Sequence, residues 1–141
     1  FVMELSTIDA KEIYDLMGVL EGEAVQNSTY NPEQLKELQQ INDSFIKATN
    51  AREMLEFDRM FHEKLIENYS NNYARGIIDQ LRIRISLYDY AFWNETQKKE
   101  SIEIHENIIA QLKKDDIRSA VKLLKHNWSI GIPFIIENFE K

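Results

Sequence analysis

Hydrophobic residues recur at spacings of three and four along nearly the whole chain, which is the pattern of amphipathic helices. No alternating strand pattern persists, and no repeat of fixed period is evident. The predicted helices cover 6 or 7 to about 27, 31 to 46, near 50 to the break at 70–72, 73–92, 95–113, and 115 or 116 to beyond 128, with a break at 131–133. We therefore predict an all-α fold, an antiparallel bundle of about six helices enclosing a central pocket.

The third predicted helix, MLEFDRMFHEKLIENY over residues 54–69, carries polar residues inside its apolar face. Asp58 and His62 lie on that face, and because they are four residues apart they sit one above the other. An unpaired carboxylate in a core costs several kcal/mol. Two solutions stay open: a divalent metal shared by Asp58 and His62, or a buried Asp–His or Asp–Arg pair.

The fifth and sixth helices show the same feature. His105 projects from a stripe of isoleucines in the fifth helix, although a core histidine bonded to a backbone carbonyl is an ordinary alternative. In the sixth helix Asn127 flanks the apolar stripe, whereas His126 points roughly the opposite way. Periodicity thus favours Asn127 as the inward polar group, either as a metal ligand or in a helix-to-helix hydrogen bond.

The fourth helix places Arg84 at the edge of its apolar stripe and Tyr88 within it. An inward arginine beside a cation is repelled unless an anion joins them. A small carboxylate bridging a metal and Arg84 would satisfy both charges, and pairing of Arg84 with a glutamate or aspartate at the core edge is the alternative.

Composition narrows the class of protein. A length of 141 residues fits one domain over 1–141, and no run of about 18 apolar residues predicts a membrane span. Residues 1–5 lack signal-peptide features, so we expect a cytoplasmic protein. With no cysteine, any metal must have nitrogen and oxygen ligands. The net charge of −7 argues against direct binding to a phosphate backbone.

Several sequence segments together resemble those of a known family. They are FDRMFHEKL with Asp58 and His62, IHENII with His105, IYDLMGVLEGEAV near the start, and the Asn-rich turn at 68–72. Over nearly the whole chain they resemble the FCD domain, the effector-binding C-terminal domain of the FadR branch of GntR-type bacterial transcription regulators. The helix count resembles the smaller, VanR-like version.

The resemblance implies a buried divalent metal (zinc, nickel or manganese) and a small organic acid as effector beside it. It implies Asp58, His62 and His105 as ligands, with Asn127 where members usually have a fourth ligand histidine. His126 would take that place only after a one-residue deletion. An inward arginine common in the first helix falls on Met17, so we assign Met17, Arg84 and Tyr88 to the effector pocket.

The same resemblance implies a homodimer and an N-terminal winged helix-turn-helix domain, which we expect to be missing from this chain. DNA would be contacted only through that domain, and effector binding would shift the helices and change the spacing of two such domains.

Two other functions remain as alternatives. A metalloenzyme would need a general base near a metal-bound water, and Glu21 at the edge of the first helix is the only further inward carboxylate. The Glu-x-x-His pairs of di-iron bundles are absent. A metal-free helical interaction module would use the same polar residues as buried pairs. We expect a regulator and not an enzyme.

Overall fold

The structure, a computed structural model, describes residues 6–139. This part of the chain contains helices and no strand, which confirms the all-α prediction. The helices are α1 (Thr7–Gln26), α2 (Pro32–Lys47), α3 (Ala51–Leu65), α4 (Asn72–Phe92), α5 (Glu95–Lys113), α6 (Ile117–Ser129) and α7 (Ile132–Phe139). The predicted break at 131–133 separates α6 from α7.

Side-chain caps fix where these helices begin. The residue before each of the first six helices accepts a hydrogen bond from the backbone N–H three residues further on, which satisfies a donor that the helix itself leaves free. The capping residues are Ser6, Asn31, Asn50, Asn71, Asn94 and Asp116.

Helix α3 ends at Leu65 and not at the break at 70–72, so it is shorter than its apolar pattern predicts. Arg75, in the first turn of α4, provides the reason. Its Nη1 donates to the carbonyl oxygens of Ile66 at 2.6 Å and Tyr69 at 3.3 Å. The guanidinium therefore satisfies backbone groups that a further helical turn would otherwise have bonded.

Six of the helices form a closed ring in which each packs against two others, in the order α1, α6, α5, α2, α3, α4 and back to α1. Contacts between neighbours run antiparallel. Ser6 meets Tyr88 while Glu21 meets Arg82, and Gln39 meets Glu106 while Ala48 meets Lys98. Helix α7 packs on α1 and α4. The ring encloses one main core, so polar side chains from different helices can converge at its centre.

A glycine brings α1 close to α6. A Cβ atom on Gly22 would lie 3.1 Å from Lys125 Cε and 3.3 Å from Val121 Cγ1, so a larger residue would require these side chains of α6 to shift by a few tenths of an ångström. The neighbouring Glu21 reaches Trp128 on α6 because of this close approach. No helix within residues 6–139 has both the length and the apolar character needed to cross a bilayer.

Candidate metal centre

Asp58, His62 and His105 converge inside the ring. Each offers one ligand atom, and these three atoms lie within 4.8 Å of one another. Asp58 Oδ1 is 3.3 Å from His105 Nε2 and 3.8 Å from His62 Nε2. Atoms that ligate one zinc ion are roughly 3 to 4 Å apart, given bonds of about 2.0–2.2 Å. The trio is therefore close enough to share one divalent cation.

His62 presents its Nε2 to this trio because its other ring nitrogen is held by Glu21. His62 Nδ1 lies 2.8 Å from Glu21 Oε1, and the side chains of both residues are buried. A carboxylate can only accept a hydrogen bond, so Nδ1 carries a proton, and Nε2 is the ring nitrogen whose lone pair is available to a metal when His62 is neutral. A carboxylate that orients a ligating imidazole in this way is typical of metal sites in proteins.

Glu21 itself is fully buried and has further partners on two other helices. Its Oε1 also accepts a hydrogen bond from Trp128 Nε1 at 2.7 Å, and its Oε2 pairs with Arg82 Nη2 at 2.8 Å. The glutamate thus joins α1, α3, α4 and α6 around one carboxylate, and Arg82 compensates the buried negative charge.

His105 is oriented by a second chain of hydrogen bonds. Asn42 Nδ2 donates to Glu106 Oε1 at 2.8 Å, so Asn42 Oδ1 is the atom that faces His105 Nδ1 at 3.0 Å. His105 Nδ1 must then donate, which leaves Nε2 unprotonated toward Asp58. Phe61 stacks on the imidazole with ring centroids 3.9 Å apart and holds its plane.

Two buried atoms at the centre lack a hydrogen-bond partner among the described residues: His105 Nε2 and Asn127 Oδ1. The 3.3 Å approach of His105 Nε2 to Asp58 does not have the geometry of a hydrogen bond. The amide nitrogen of Asn127 donates to Ser101 Oγ at 3.2 Å, so its oxygen is the free end. Unpartnered buried polar atoms require an explanation, and a bound cation would satisfy both. The donor set of one carboxylate, two imidazoles and one amide oxygen fits a hard or borderline cation.

The pKa values of the three side chains follow from their burial and from the charges around them. Burial raises the pKa of Asp58, but the imidazoles of His62 and His105 outweigh that effect and lower it overall. Burial lowers the pKa of His105. Burial also acts to lower the pKa of His62, but the carboxylates of Glu21 and Asp58 raise it overall. The ionised Asp58 and neutral His105 are the protonation states that ligate metals.

A cavity of about 260 Å³ opens beside the trio, between α3, α4 and α6. We call it the α3–α4 cavity. Asp58 and His62 form part of its wall, and Trp128 forms another part. Arg82 and Asp89 of α4 also line it. A molecule in this cavity would therefore lie directly beside the candidate metal ligands.

The residues predicted for effector binding do not line the α3–α4 cavity. The side chain of Arg84 is 41% exposed and its Nη2 is 3.9 Å from Asp9 Oδ2, so an effector contact by Arg84 stays a prediction. The arginine of α4 that lines the cavity is Arg82. Arg82 follows Ile78 by four residues and precedes Ile85 by three, which places it on the buried face.

Met17 and Tyr88 are fully buried but do not line the α3–α4 cavity. Tyr88 Oη accepts from the Ser6 N–H and donates to the Ser6 carbonyl, both at 3.1 Å. An effector contact by either residue stays a prediction. His126 is exposed and Asn127 is buried, as the periodicity of the sixth helix indicates.

Comparison with known protein families shows which family the chain belongs to. The model of the FCD domain matches residues 12–128. No curated protein sequence matches the chain. The chain belongs to the FCD domain family, whose members are regulatory, effector-binding domains.

Proposed function

We propose that this FCD domain is a metal-dependent sensor of a small organic acid, held in the α3–α4 cavity beside a divalent cation. Asp58, His62 and His105 would ligate the cation, and Asn127 Oδ1 would complete the set. The observation that carries the proposal is that both imidazoles have their Nδ1 atoms bonded away from the centre, while both Nε2 atoms face Asp58.

The bound cation would act as a Lewis acid that attracts a carboxylate. Zinc, nickel and manganese all accept this donor set. Since an amide oxygen is a weaker ligand than imidazole, Asn127 leaves the cation more electron-poor than a third histidine would, and so more dependent on an effector oxygen.

The regulatory output would pass through an N-terminal winged helix-turn-helix domain attached to this one, in a bacterial cytoplasmic transcription regulator. Effector binding would favour one arrangement of the helix ring over another and so change the presentation of two DNA-binding domains. Glu21 supports this coupling, because it touches ligand-bearing α3, cavity-lining α4 and also α6.

The sensor is tested by thermal unfolding of the metal-loaded chain against a panel of small carboxylates. We expect at least one acid to raise the melting temperature by several degrees, since an effector at about 100 times its Kd adds about 2.7 kcal/mol of stability. The shift should vanish when a chelator removes the metal. An unchanged melting temperature across the whole panel would contradict the sensor function.

A dimer forms the second part of the proposal. Ile83, Leu87 and Tyr90 make an apolar stripe on the outer face of α4, with exposed fractions of 65%, 41% and 66%. On the adjacent α1, Leu16 and Val19 are also exposed. Apolar surface of this kind on neighbouring helices suits an isologous contact between two copies. Tyr90 also lines the α3–α4 cavity, so the cavity adjoins the proposed interface.

Leu87→Glu should convert the dimer to a monomer, because it would bury two carboxylates in a symmetric contact. Light scattering during gel filtration measures the mass directly. Ile46→Glu, a matched change at a 44% exposed position on α2, should leave the dimer intact. A wild-type chain that is monomeric at micromolar concentration would refute the interface.

A further inference from the structure

The α3–α4 cavity is lined by two charged residues of opposite sign, Asp89 and Arg52, that form no ion pair among the described residues. Building on the proposed sensor function, we propose that its effector is a small zwitterion, an amino acid whose ammonium group pairs with Asp89 and whose carboxylate is drawn to the metal centre and Arg52. Asp89 and Arg52 both line the α3–α4 cavity, so one small molecule could contact both side chains.

Most of the charges on the cavity wall are already paired. Arg59 forms ion pairs with Glu56 and Glu63, and Arg82 pairs with Glu21. Asp58 belongs to the candidate metal centre. These groups need no further counter-ion from a ligand, so they do not determine its charge.

Asp89 is the uncompensated anion. One of its oxygens accepts a hydrogen bond from Tyr14 Oη at 2.7 Å, and no ion pair in the described residues involves it. Its carboxyl lines both the α3–α4 cavity and a small neighbouring cavity that contains Asn127. Burial raises the pKa of Asp89 to about 7 and the charge of Asp58 adds to this, while the Tyr14 hydrogen bond and His62 act in the opposite direction. A ligand ammonium group would give the Asp89 carboxylate the ion-pair partner that it does not have among the described residues.

Arg52 is the uncompensated cation. It lies in the first turn of α3, is exposed, and takes part in no ion pair within residues 6–139. Both Arg52 and the bound metal would attract a carboxylate, whereas Asp89 would attract an ammonium group. A volume of about 260 Å³ is below the roughly 300–1,000 Å³ of most ligand pockets, so the zwitterion must be small.

Calorimetric titration of the zinc-loaded chain tests the proposal with two series of matched skeletons: alanine, lactate and propionate, then aspartate, malate and succinate. In at least one series the amino acid should bind about tenfold or more tightly than both analogues, because a charge-assisted hydrogen bond contributes that much. If the hydroxy acid or plain acid binds as tightly, the zwitterion is overturned and the sensor function stands. If none of the six binds, both are overturned.

Asp89→Asn should weaken the amino acid about tenfold and leave the plain acid unchanged, because the amide keeps the Tyr14 hydrogen bond but loses the charge. Asp79→Asn, the same change at an exposed position of the same helix, should alter neither. Arg52→Gln, at an exposed and unpaired position, gives a second readout: it should weaken all the acids. An Asp89→Asn protein with unchanged selectivity would contradict the ammonium site, as would equal binding of every acid to Arg52→Gln and to the wild type.

Discussion

Glu21→Ala should lower the free energy of unfolding by about 3–5 kcal/mol, the usual effect of removing one partner from a buried ion pair. Glu21 is fully buried, and its loss leaves the guanidinium of Arg82 with only a 3.8 Å approach to Glu63 as compensation. Trp128 Nε1 and His62 Nδ1 would also lose their acceptor in the interior.

The same substitution should weaken metal binding by about 10- to 100-fold, the range seen when residues that orient metal ligands are removed. Without Glu21, His62 can exchange its ring tautomer, and its Nε2 no longer faces Asp58 with a free lone pair. Glu21→Gln keeps the shape of the side chain and removes its charge, so it distinguishes the effect of packing from the effect of charge on metal affinity. A glutamine has one acceptor atom where three donors converge, so metal affinity should fall even if the fold is kept.

Urea unfolding in the presence of a chelator measures the free energy of unfolding of the metal-free protein. Competition with a chromogenic chelator measures the metal affinity. Glu23→Ala is the matched control, because Glu23 lies on the same helix, is exposed, and its carboxylate accepts only a local hydrogen bond, from the C-cap residue Asn27. It should change the free energy of unfolding by less than about 0.5 kcal/mol. If Glu21→Ala bound metal as tightly as the Glu23→Ala control, Glu21 would have no role in orienting His62.

The ring arrangement explains why so much depends on one glutamate. Each helix of the ring contributes a polar side chain that either belongs to the candidate metal centre, bonds to one of its residues, or lies beside it. These side chains are Glu21 from α1, Asn42 from α2, Asp58 and His62 from α3, Arg82 and Asp89 from α4, His105 from α5, and Asn127 and Trp128 from α6. A ligand that moved α4 by a fraction of an ångström would displace Arg82, and the hydrogen bonds from Arg82 to Glu21 and from His62 to Glu21 would transmit that movement to His62. The fold thereby offers a physical connection between effector and helix arrangement.

One rule of sequence reading located the centre. A polar residue that follows one buried apolar residue by four and precedes another by three lies on the inner face of its helix. Asp58 meets this rule, between Met54 and Phe61. His62 and His105 share the apolar faces of their helices, with Leu65 and Ile108 three residues further on, but are preceded at four residues by the polar Asp58 and Ser101. The rule applies equally to Asn42, between Leu38 and Phe45, and to Arg82, between Ile78 and Ile85. These two residues could therefore have been found by the same reasoning.

Which inward polar groups meet across the ring could not be predicted from periodicity. Glu21 was recognisable as a carboxylate at the edge of α1, but its contact with Trp128 depends on the close approach of α1 to α6 at Gly22. Its contact with Arg82 depends on the packing of α1 against α4. Such contacts join residues up to 107 positions apart. They are set by helix packing, which local spacing does not encode.

The other large effect is expected for the double substitution Asp58→Ala with His105→Ala, which should abolish metal binding. The wild-type chain, purified without a nickel column, should contain about one divalent ion, and the double variant close to none. Removal of two of the three convergent ligand atoms leaves His62 and Asn127, too few donors to hold a cation against water.

Stability in the presence of a chelator separates a metal site from a buried ion pair. If the trio holds a metal, the chelator should lower the melting temperature of the wild type and leave that of the double variant unchanged, since ligand binding stabilises only a protein that binds it. His126→Ala, at the exposed third histidine, should behave as the wild type. A wild type insensitive to chelator, with trace metal that survives the double substitution, would mean that Asp58 and the two histidines only pair with one another, and the sensor would lose its cation.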